Sequence, residues 1–262
     1  MWYNKNVNTF LQEALDSMFH LSFCVISVFF AIWAAEKMTY HISKDKSLWI
    51  MNLCGIILAF GELYKQLFLY VIVNHGKYDW WYFPFQLCST PMYLCLILPL
   101  IKKYPSIRQI ICTYLQDFCL LGGIMALIEP SGLYHPYWSL TLHGLLWHVL
   151  LIFLGLFSGL SGMSGHGWRE YSKTLVLFGV FCLIASGINV ATKGQADMFY
   201  ISPYYPVTQI IFNEISLRYG IFIGIISYLF SICLGGFLLH LLVGIYAAKR
   251  NGSPKRRITD RN

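Results

Sequence analysis

The sequence predicts an all-α, polytopic helical membrane protein with seven transmembrane helices, its N-terminus outside and its C-terminus in the cytoplasm. Of the 262 residues, 57% are hydrophobic and only 12% are charged, which is about half the charged fraction of an ordinary soluble domain. The apolar residues form continuous runs of roughly 18 to 25 residues, each long enough to cross a hydrocarbon core of about 30 Å as a helix. One helical membrane domain accounts for nearly the whole chain.

Seven such runs follow one another along the sequence. They are Met18 to Tyr40, Leu48 to Val73, Phe83 to Ile101, Ile107 to Ile128, Trp138 to Leu160, Thr174 to Ala191 and Tyr219 to Ala247. They define a transmembrane domain over residues 18–247. Before it, residues 1–17 show helical spacing of apolar side chains and are predicted to form a short interfacial helix. After it, residues 248–262 form a basic cytoplasmic tail.

The orientation follows from the basic residues. With a cytoplasmic C-terminus, seven crossings leave only four basic loop residues outside, namely Lys5, Lys77, Lys193 and Arg218. The inner loops and the tail hold most of the others, as the positive-inside rule requires. These loops also explain the net charge of +7, so no nucleic-acid partner is expected. Membrane lipids are the expected partners, and the cell membrane is the expected location. The oligomeric state stays open.

The connection over residues 192–218 is unusual, because loops of this length without structure are rare in a compact protein. Its second half places Val207, Ile210, Ile211 and Ile215 on one side of a possible helix. It is predicted to be an outer loop with a short amphipathic or re-entrant helix, either a lid over a site or a plain interfacial loop. Both alternatives remain open from the sequence.

Polar residues inside the apolar runs converge on one leaflet. Ionisable groups are costly in hydrocarbon, so each is a candidate for function. Helix direction and a rise of 1.5 Å per residue place most of them in the outer half of the membrane. The set comprises Glu62, Lys65, Gln86, Cys88, Glu129, His143, His148 and Asn189. We therefore expect one polar cavity that faces outward. Glu62 and Lys65, three residues apart, could equally form a structural ion pair.

Cys88 is the thiol with the most unusual surroundings. It lies between Pro84 and Pro91, and Pro84 suits the first turn of a helix. That start would put the thiol within the first two turns, where the helix dipole favours a thiolate. All eight cysteines fall inside apolar runs, so no disulfide framework is expected. No loop offers paired ligand spacing, so neither a metal nor another cofactor is expected.

Three segments resemble a known family. They are FPFQLCSTP around Cys88, the stretch from His143 to His148, and Asn189 followed by the run from Gly194 to Tyr200. Together they are similar to the bacterial YwaF-type integral membrane proteins, which are related to transmembrane protein 164 of animals. The resemblance implies a fatty-acyl transferase that acts on membrane phospholipids through a cysteine and a histidine. Carried over by position, Cys88 would be the nucleophile and His148 or His143 its base.

The leading hypothesis is therefore a cysteine-dependent acyltransferase or transacylase of the outer leaflet. Gln86 and Asn189 are candidate oxyanion donors, and Glu62, Lys65 and Asp197 complete the expected substrate-binding set. A site that faces outward lacks a ready supply of cytoplasmic acyl-CoA, which favours a phospholipid donor. The alternative is a transporter or binding protein for a small polar solute, with Glu62, Lys65 and Asp117 along its path. The sequence shows no clear inverted repeat that would favour a transporter.

Overall fold

The computed structural model describes residues 2–40 and 42–252, with side chains for 18–40 and 42–250. Within these ranges the chain is helical and contains no strand. The nine α-helices are α1 (Trp2–Met38), α2 (Lys44–Phe68), α3 (Thr90–Ile97), α4 (Pro105–Tyr114), α5 (Leu120–Ile128), α6 (Trp138–Leu160), α7 (Trp168–Ala191), α8 (Ile210–Tyr219) and α9 (Ile221–Gly252). Predictions about the side chains of residues 1–17 and of the tail beyond Arg250 lie outside the described residues.

Six helical segments of the described chain are long and apolar enough to cross a membrane. They are Met18–Met38, Lys44–Val73, Pro105–Ile128, Trp138–Leu160, Trp168–Ala191 and Ile221–Arg250. Two of them contain a wider π-helical turn, at Leu69–Val73 after α2 and at Leu115–Cys119 between α4 and α5. Each of the six corresponds to one run predicted from the sequence.

The outer surface of the bundle is apolar. Large hydrophobic side chains stand exposed along its outward helices, for example Ile26 and Phe29 on α1, Leu183 on α7, and Phe222 and Phe230 on α9. Soluble monomers rarely expose continuous apolar surface on this scale, whereas lipid tails cover it without cost. The protein is therefore a membrane protein.

Two helices form the centre of the bundle. Helix α6 packs against α1, α2, α5 and α9, and the segment from α4 through the π-turn to α5 packs beside it. Small residues allow the close approach: a Cβ added at Gly155 would lie 2.7 Å from the Leu120 Cβ. Phe118, Leu151 and Phe157 are almost completely buried at this contact. The other helices surround this pair.

The third predicted span, Phe83 to Ile101, is not a single transmembrane helix. Residues 83–86 are not helical, a single 3-10 turn occupies Leu87–Ser89, and α3 has only 8 residues. At 1.5 Å per residue α3 is about 12 Å long, well short of a hydrocarbon core of about 30 Å. Hydropathy counts apolar side chains, but it does not register the two prolines that interrupt the helix.

This broken segment nevertheless follows α2 over most of its length, in the opposite direction. Gln66 Nε2 donates to the Tyr82 carbonyl at 2.6 Å at one end. Gly55 contacts Cys95 in the middle, where an added Cβ would lie 2.7 Å from the Cys95 Cβ. Lys102 pairs with Asp45 at 2.8 Å at the other end. From Asp45 to Gln66 α2 rises by about 32 Å, so the segment spans about the thickness of a membrane core.

The connection after α7 enters the bundle before it forms α8. Ala196, Asp197, Met198 and Phe199 are all buried, and Phe199 is only 1% exposed. Helix α8 then packs on α9, with Ile210 and Ile211 exposed and Val207 buried just before it. Part of this connection therefore belongs to the core and lies next to the segment that carries Cys88.

Candidate functional site

Cys88 lies in the single 3-10 turn that precedes α3. The turn is held by the Ser89 amide, which donates to the Gln86 carbonyl at 2.8 Å. Pro91 occupies the first turn of α3, and Pro84 belongs to the non-helical stretch before it. The expectation that Pro84 starts the helix is therefore wrong, and Cys88 sits just ahead of the helix rather than inside it. The residue as a whole is half-buried.

Helix α6 presents one face to this turn. Trp147 Nε1 donates to the Cys88 carbonyl at 3.1 Å, which ties the turn to α6. His143 is one helical turn before Trp147 on the same face, and both lie against Gly61 of α2. The buried Nε2 of His143 faces Gly61 and makes no hydrogen bond of good geometry within the described part of the chain. The imidazole therefore shares its helix face with the tryptophan that binds the Cys88 turn.

His148 is arranged differently. Its Nδ1 lies 2.7 Å from the Gly144 carbonyl, which can only accept, so Nδ1 carries the proton and donates. The residue follows Trp147 by one position, about 100° around the helix, and its backbone carbonyl faces Gly123 on α5. The sequence left both histidines open, and the helix face on which each lies favours His143.

Neither histidine is hydrogen-bonded to Cys88 in the described structure. The Cys and His side chains that do approach each other are Cys24 and His20, one turn apart on α1, with Sγ 3.4 Å from Nε2 and 3.8 Å from Nδ1. The Nε2 atom also lies 3.1 Å from the Leu127 carbonyl, so it carries the proton and leaves Nδ1 as the acceptor. Sequence reasoning missed this second thiol and imidazole pair, which the i, i+4 spacing could have indicated.

The charged residues of α2 form a compact cluster beside the thiol. Lys65 Nζ lies 2.9 Å from Glu62 Oε1, and Gln66 Nε2 donates to the same oxygen at 2.7 Å. The ion pair that the spacing allowed is therefore present. Glu62 and Lys65 are also close enough for their charges to act on both Cys88 and His143. Four of the residues singled out in the sequence thus come together here.

Gln86 and Asn189 make a second cluster, and both bind the loop after α7. Gln86 Nε2 donates to the Asp197 carbonyl at 2.8 Å, and its Oε1 accepts from the Phe199 amide at 2.9 Å. Asn189 does the same at Met198, donating to the carbonyl at 3.0 Å and accepting from the amide at 2.6 Å. Each side-chain amide binds backbone through its oxygen and one of its two N–H groups, so both amides hold the loop in place.

Asp197 completes this arrangement. Its Oδ1 accepts from the Ser202 amide at 3.0 Å, which closes the loop on itself. Burial raises the pKa of the Asp197 carboxyl above its usual range, and the Ser202 amide opposes that shift. The carboxylate therefore holds the loop in shape, and one residue of that loop meets α9.

That residue is Tyr200, whose ring meets Tyr228 of α9 edge to face at a centroid distance of 6.5 Å. Both side chains lie near enough to Cys88 to interact with it electrostatically. Burial, followed by the nearby Cys88 thiol, raises the pKa of Tyr200 to about 12, so its hydroxyl keeps its proton and remains a donor. Sequence reasoning missed both tyrosines, because the aromatic stretches gave no sign of which ring turns inward.

A model of the TMEM164 family matches residues 10–245, which include every residue of this site. The chain belongs to the TMEM164 family. This confirms the resemblance to proteins related to transmembrane protein 164, and it is compatible with the bacterial YwaF-type branch. No curated protein and no solved structure matches the chain. As a TMEM164-family membrane protein, it keeps Cys88, His143 and His148 within the matched region.

Two acidic residues lie apart from this candidate site. Glu129 is exposed and accepts from the Ser131 amide at 3.2 Å. Hydrogen bonding from the Ser131 side chain, and then from its amide, lowers the pKa of the Glu129 carboxyl. Asp117 is fully buried and lies 3.1 Å from His240 Nδ1, a residue that the sequence analysis missed. A histidine within the apolar part of α9 was the available signal. Among the described side chains, no cluster of three His, Cys, Asp or Glu residues could hold a metal.

A surface pocket of about 650 Å³ opens close to the site. Residues 74–81 form one of its walls, and Lys193, Gly194, Gln195 and Tyr205 form the other. These two walls belong to the segments that lead into the Cys88 turn and into the Tyr200 loop. The pocket does not include Cys88. The polar cavity expected around the thiol is instead a set of packed, hydrogen-bonded clusters with the thiol between them.

Proposed function

We propose that this protein transfers fatty-acyl groups between phospholipids of the outer leaflet of the cell membrane, through a thioester on Cys88. The observation that carries the proposal is the position of a half-buried cysteine where a charged pair, an imidazole and two tyrosines meet within an otherwise lipid-facing bundle. Membership of the TMEM164 family supports it, together with the implied cysteine and histidine chemistry. Membrane lipids would then be both substrate and solvent.

The reaction divides into two acyl transfers. In the first, His143 takes the proton from the Cys88 thiol, and the sulfur forms a bond to the carbonyl carbon of the lipid ester. The carbon–oxygen bond of the ester breaks, and the lysophospholipid leaves with the proton from the imidazolium. In the second, the hydroxyl of an acceptor lipid gives its proton to His143 and attacks the thioester. The carbon–sulfur bond breaks, and the thiolate regains its proton.

His143 is the preferred base because of the helix face it shares with Trp147. Trp147 holds the Cys88 carbonyl at 3.1 Å, so the turn and the imidazole lie against the same helix face. Catalytic hydrogen bonds are often long before substrate binds. Lys65 and Glu62 then bind the polar part of the lipid or set the local field, while Gln86, Asn189 and Asp197 hold the loop.

The proposal includes seven crossings with the N-terminus outside and the C-terminus in the cytoplasm. The crossing beyond the six long helices is the broken segment from Tyr82 to Lys102. Its antiparallel course along α2 supports this assignment. Basic residues support the orientation, since Lys37, Lys46 and Arg250 line one pocket at the end of the bundle where Lys102 meets Asp45.

A solute transporter is less well supported. Its expected pathway included Asp117, which is 0% exposed and held by His240 and Gln116. A carboxylate so enclosed lines no open route. The lipid-facing surface and the half-buried Cys88 agree better with a membrane-embedded transferase.

The experiment is an acyl-transfer assay in nanodiscs that contain a phospholipid with a labelled acyl chain and an unlabelled lysophospholipid acceptor. The wild-type protein should move label to the acceptor and carry a hydroxylamine-sensitive adduct, which mass spectrometry should assign to Cys88. Cys88→Ser should abolish both. Cys182→Ser, which changes another half-buried thiol, should leave both unchanged.

The main alternative nucleophile is Cys24, whose sulfur lies beside the His20 imidazole. If the adduct lies on Cys24, or if Cys24→Ser abolishes transfer while Cys88→Ser does not, then the nucleophile has been wrongly assigned. If the wild-type protein moves no label and forms no thioester with any phospholipid class, the transferase itself is refuted.

A further inference from the structure

The turn that carries Tyr200 has a strained backbone. Phe199 and Tyr200 both have left-handed conformations, with φ of 61° and 57°. A left-handed conformation costs an L-residue other than glycine about 1–2 kcal/mol, and two in succession are uncommon. Such strain persists only where the surrounding structure over-determines the conformation, and it is concentrated at functional sites. The turn therefore requires an explanation beyond chain reversal.

The surrounding structure does over-determine this turn. Gln86 and Asn189 together make four hydrogen bonds to the backbone of residues 197–199. The Phe199 ring is buried and stacks on Phe85 at 6.0 Å. Because Gln86 is two residues from Cys88, the same side chain fixes the thiol segment to the strained turn. The first residue after the clamped backbone is Tyr200.

The hydroxyl groups of Tyr200 and Tyr228 differ from those of other tyrosines around the site. The hydroxyls of Tyr93 and Tyr171 donate to backbone carbonyls, and that of Tyr114 shares a hydrogen bond with Thr90. Within the described part of the chain, the hydroxyls of Tyr200 and Tyr228 make no hydrogen bond. Both residues are half-buried, so these two donors are available to a molecule that the chain does not supply. Their rings are in contact, and the hydrogen bonds from Gln86 hold the Tyr200 turn beside the segment that carries Cys88.

We infer that the Tyr200 and Tyr228 hydroxyls form the oxyanion hole for acyl transfer at Cys88, in place of the side-chain amides of Gln86 and Asn189. This inference rests on the proposed function. When sulfur adds to the ester carbonyl carbon, the π electrons of the carbonyl move to its oxygen, and the two O–H groups donate to that oxygen. The same donors serve the thioester carbonyl when the acceptor alcohol attacks. No proton leaves either tyrosine in the cycle.

This role accounts for the strained backbone at Phe199 and Tyr200. Donors that are fixed before the reaction need no reorganisation when charge develops, which makes them most effective in a site with little water. Tyr200 on a relaxed loop would have to be ordered in each cycle. The four hydrogen bonds from Gln86 and Asn189 offset that cost during folding, and they make these two amides positioning residues.

The test compares Tyr200→Phe and Tyr228→Phe with the wild-type protein in two assays. The first is the rate at which Cys88 forms its acyl thioester, which should fall roughly 100-fold or more in each variant, as for loss of one oxyanion donor. The second is alkylation of Cys88 by iodoacetamide. This displacement develops no oxyanion, so its rate should stay within about threefold of the wild-type rate.

Tyr204→Phe is the matched control, because Tyr204 is on the same loop but is exposed. It should acylate Cys88 at the wild-type rate. The inference is overturned if Tyr200→Phe and Tyr228→Phe acylate at that rate too, or if alkylation falls in parallel with acylation, since the rings would then only place the thiol. A wild-type protein that forms no adduct on Cys88 would instead refute the proposed function, and the tyrosine role with it.

Discussion

Gln86 and Asn189 lie beside the candidate site, but their side chains hold backbone in place. An amide side chain both donates and accepts, so it can satisfy the two polar groups of a peptide unit. Each of these residues does so on the loop after α7. Their outer-leaflet position was expected from the sequence, but their partners were not. Gln86 binds backbone 111 to 113 residues further along the chain. Asn189 binds Met198, nine residues on, and this backbone has no sequence pattern of its own.

Asn189→Leu tests this role. It removes two hydrogen bonds and leaves the buried Met198 amide and carbonyl without partners, at about 1–3 kcal/mol for each group. We expect the free energy of unfolding to fall by about 2–5 kcal/mol in a denaturant titration in detergent micelles. Gln195→Leu, on the same loop but exposed, should change it little. Equal losses in the two variants would contradict the clamp.

The π-turn at Leu115–Cys119 and helix α9 together form a buried polar pair whose second member the sequence analysis missed. A π-turn rotates the residues that follow it, and here Asp117 meets His240 across the core. His240 Nε2 lies 3.2 Å from the Gly167 carbonyl, so it carries a proton, and one more proton is shared between Nδ1 and Asp117. The pair therefore connects the centre of the bundle, the last helix and the loop before α7.

His240→Leu should be strongly destabilising, because it leaves Asp117 buried without its partner. We expect the free energy of unfolding to fall by about 3–5 kcal/mol. The double variant Asp117→Leu, His240→Leu should recover most of that loss, since no buried charge remains. Denaturant titrations of both variants measure the difference. If the double variant is no more stable than His240→Leu, the pair is not the source of the effect.

Hydropathy was sufficient for most of the fold. The run Trp138 to Leu160 has the same bounds in the structure, and the run Leu48 to Val73 ends at the same residue. Hydropathy failed at Phe83 to Ile101. The composition there resembles that of a transmembrane helix, but Pro91 and the residues before it do not continue a helix. For the site, the common depth expected for Glu62, Lys65, Cys88 and His143 stays a prediction, while contacts between their segments do bring them to one region. The left-handed turn at Tyr200 depends on distant contacts that no local pattern encodes.

The number of crossings is a property of the whole molecule, and it depends on the broken segment. If Tyr82 to Lys102 crosses the membrane beside α2, the loops on its two sides lie on opposite faces. If it turns back, they lie on the same face. We expect Lys77→Cys to react with a membrane-impermeant maleimide added outside intact cells, and Lys103→Cys to react only after permeabilisation, both in a Cys88→Ser background. Labelling of both residues from outside would contradict the seven-crossing topology.

The broken segment also constrains the order in which the molecule can be assembled. Cys88 enters the membrane early, yet the groups around it come from α6, from the loop after α7 and from α9. A nascent chain that ends before Tyr228 would hold the thiol without the donors that we assign to it. On the proposed function, we therefore expect the site to stay incomplete during synthesis until α9 has been inserted, so that unfinished chains do not react with the bilayer in which they fold.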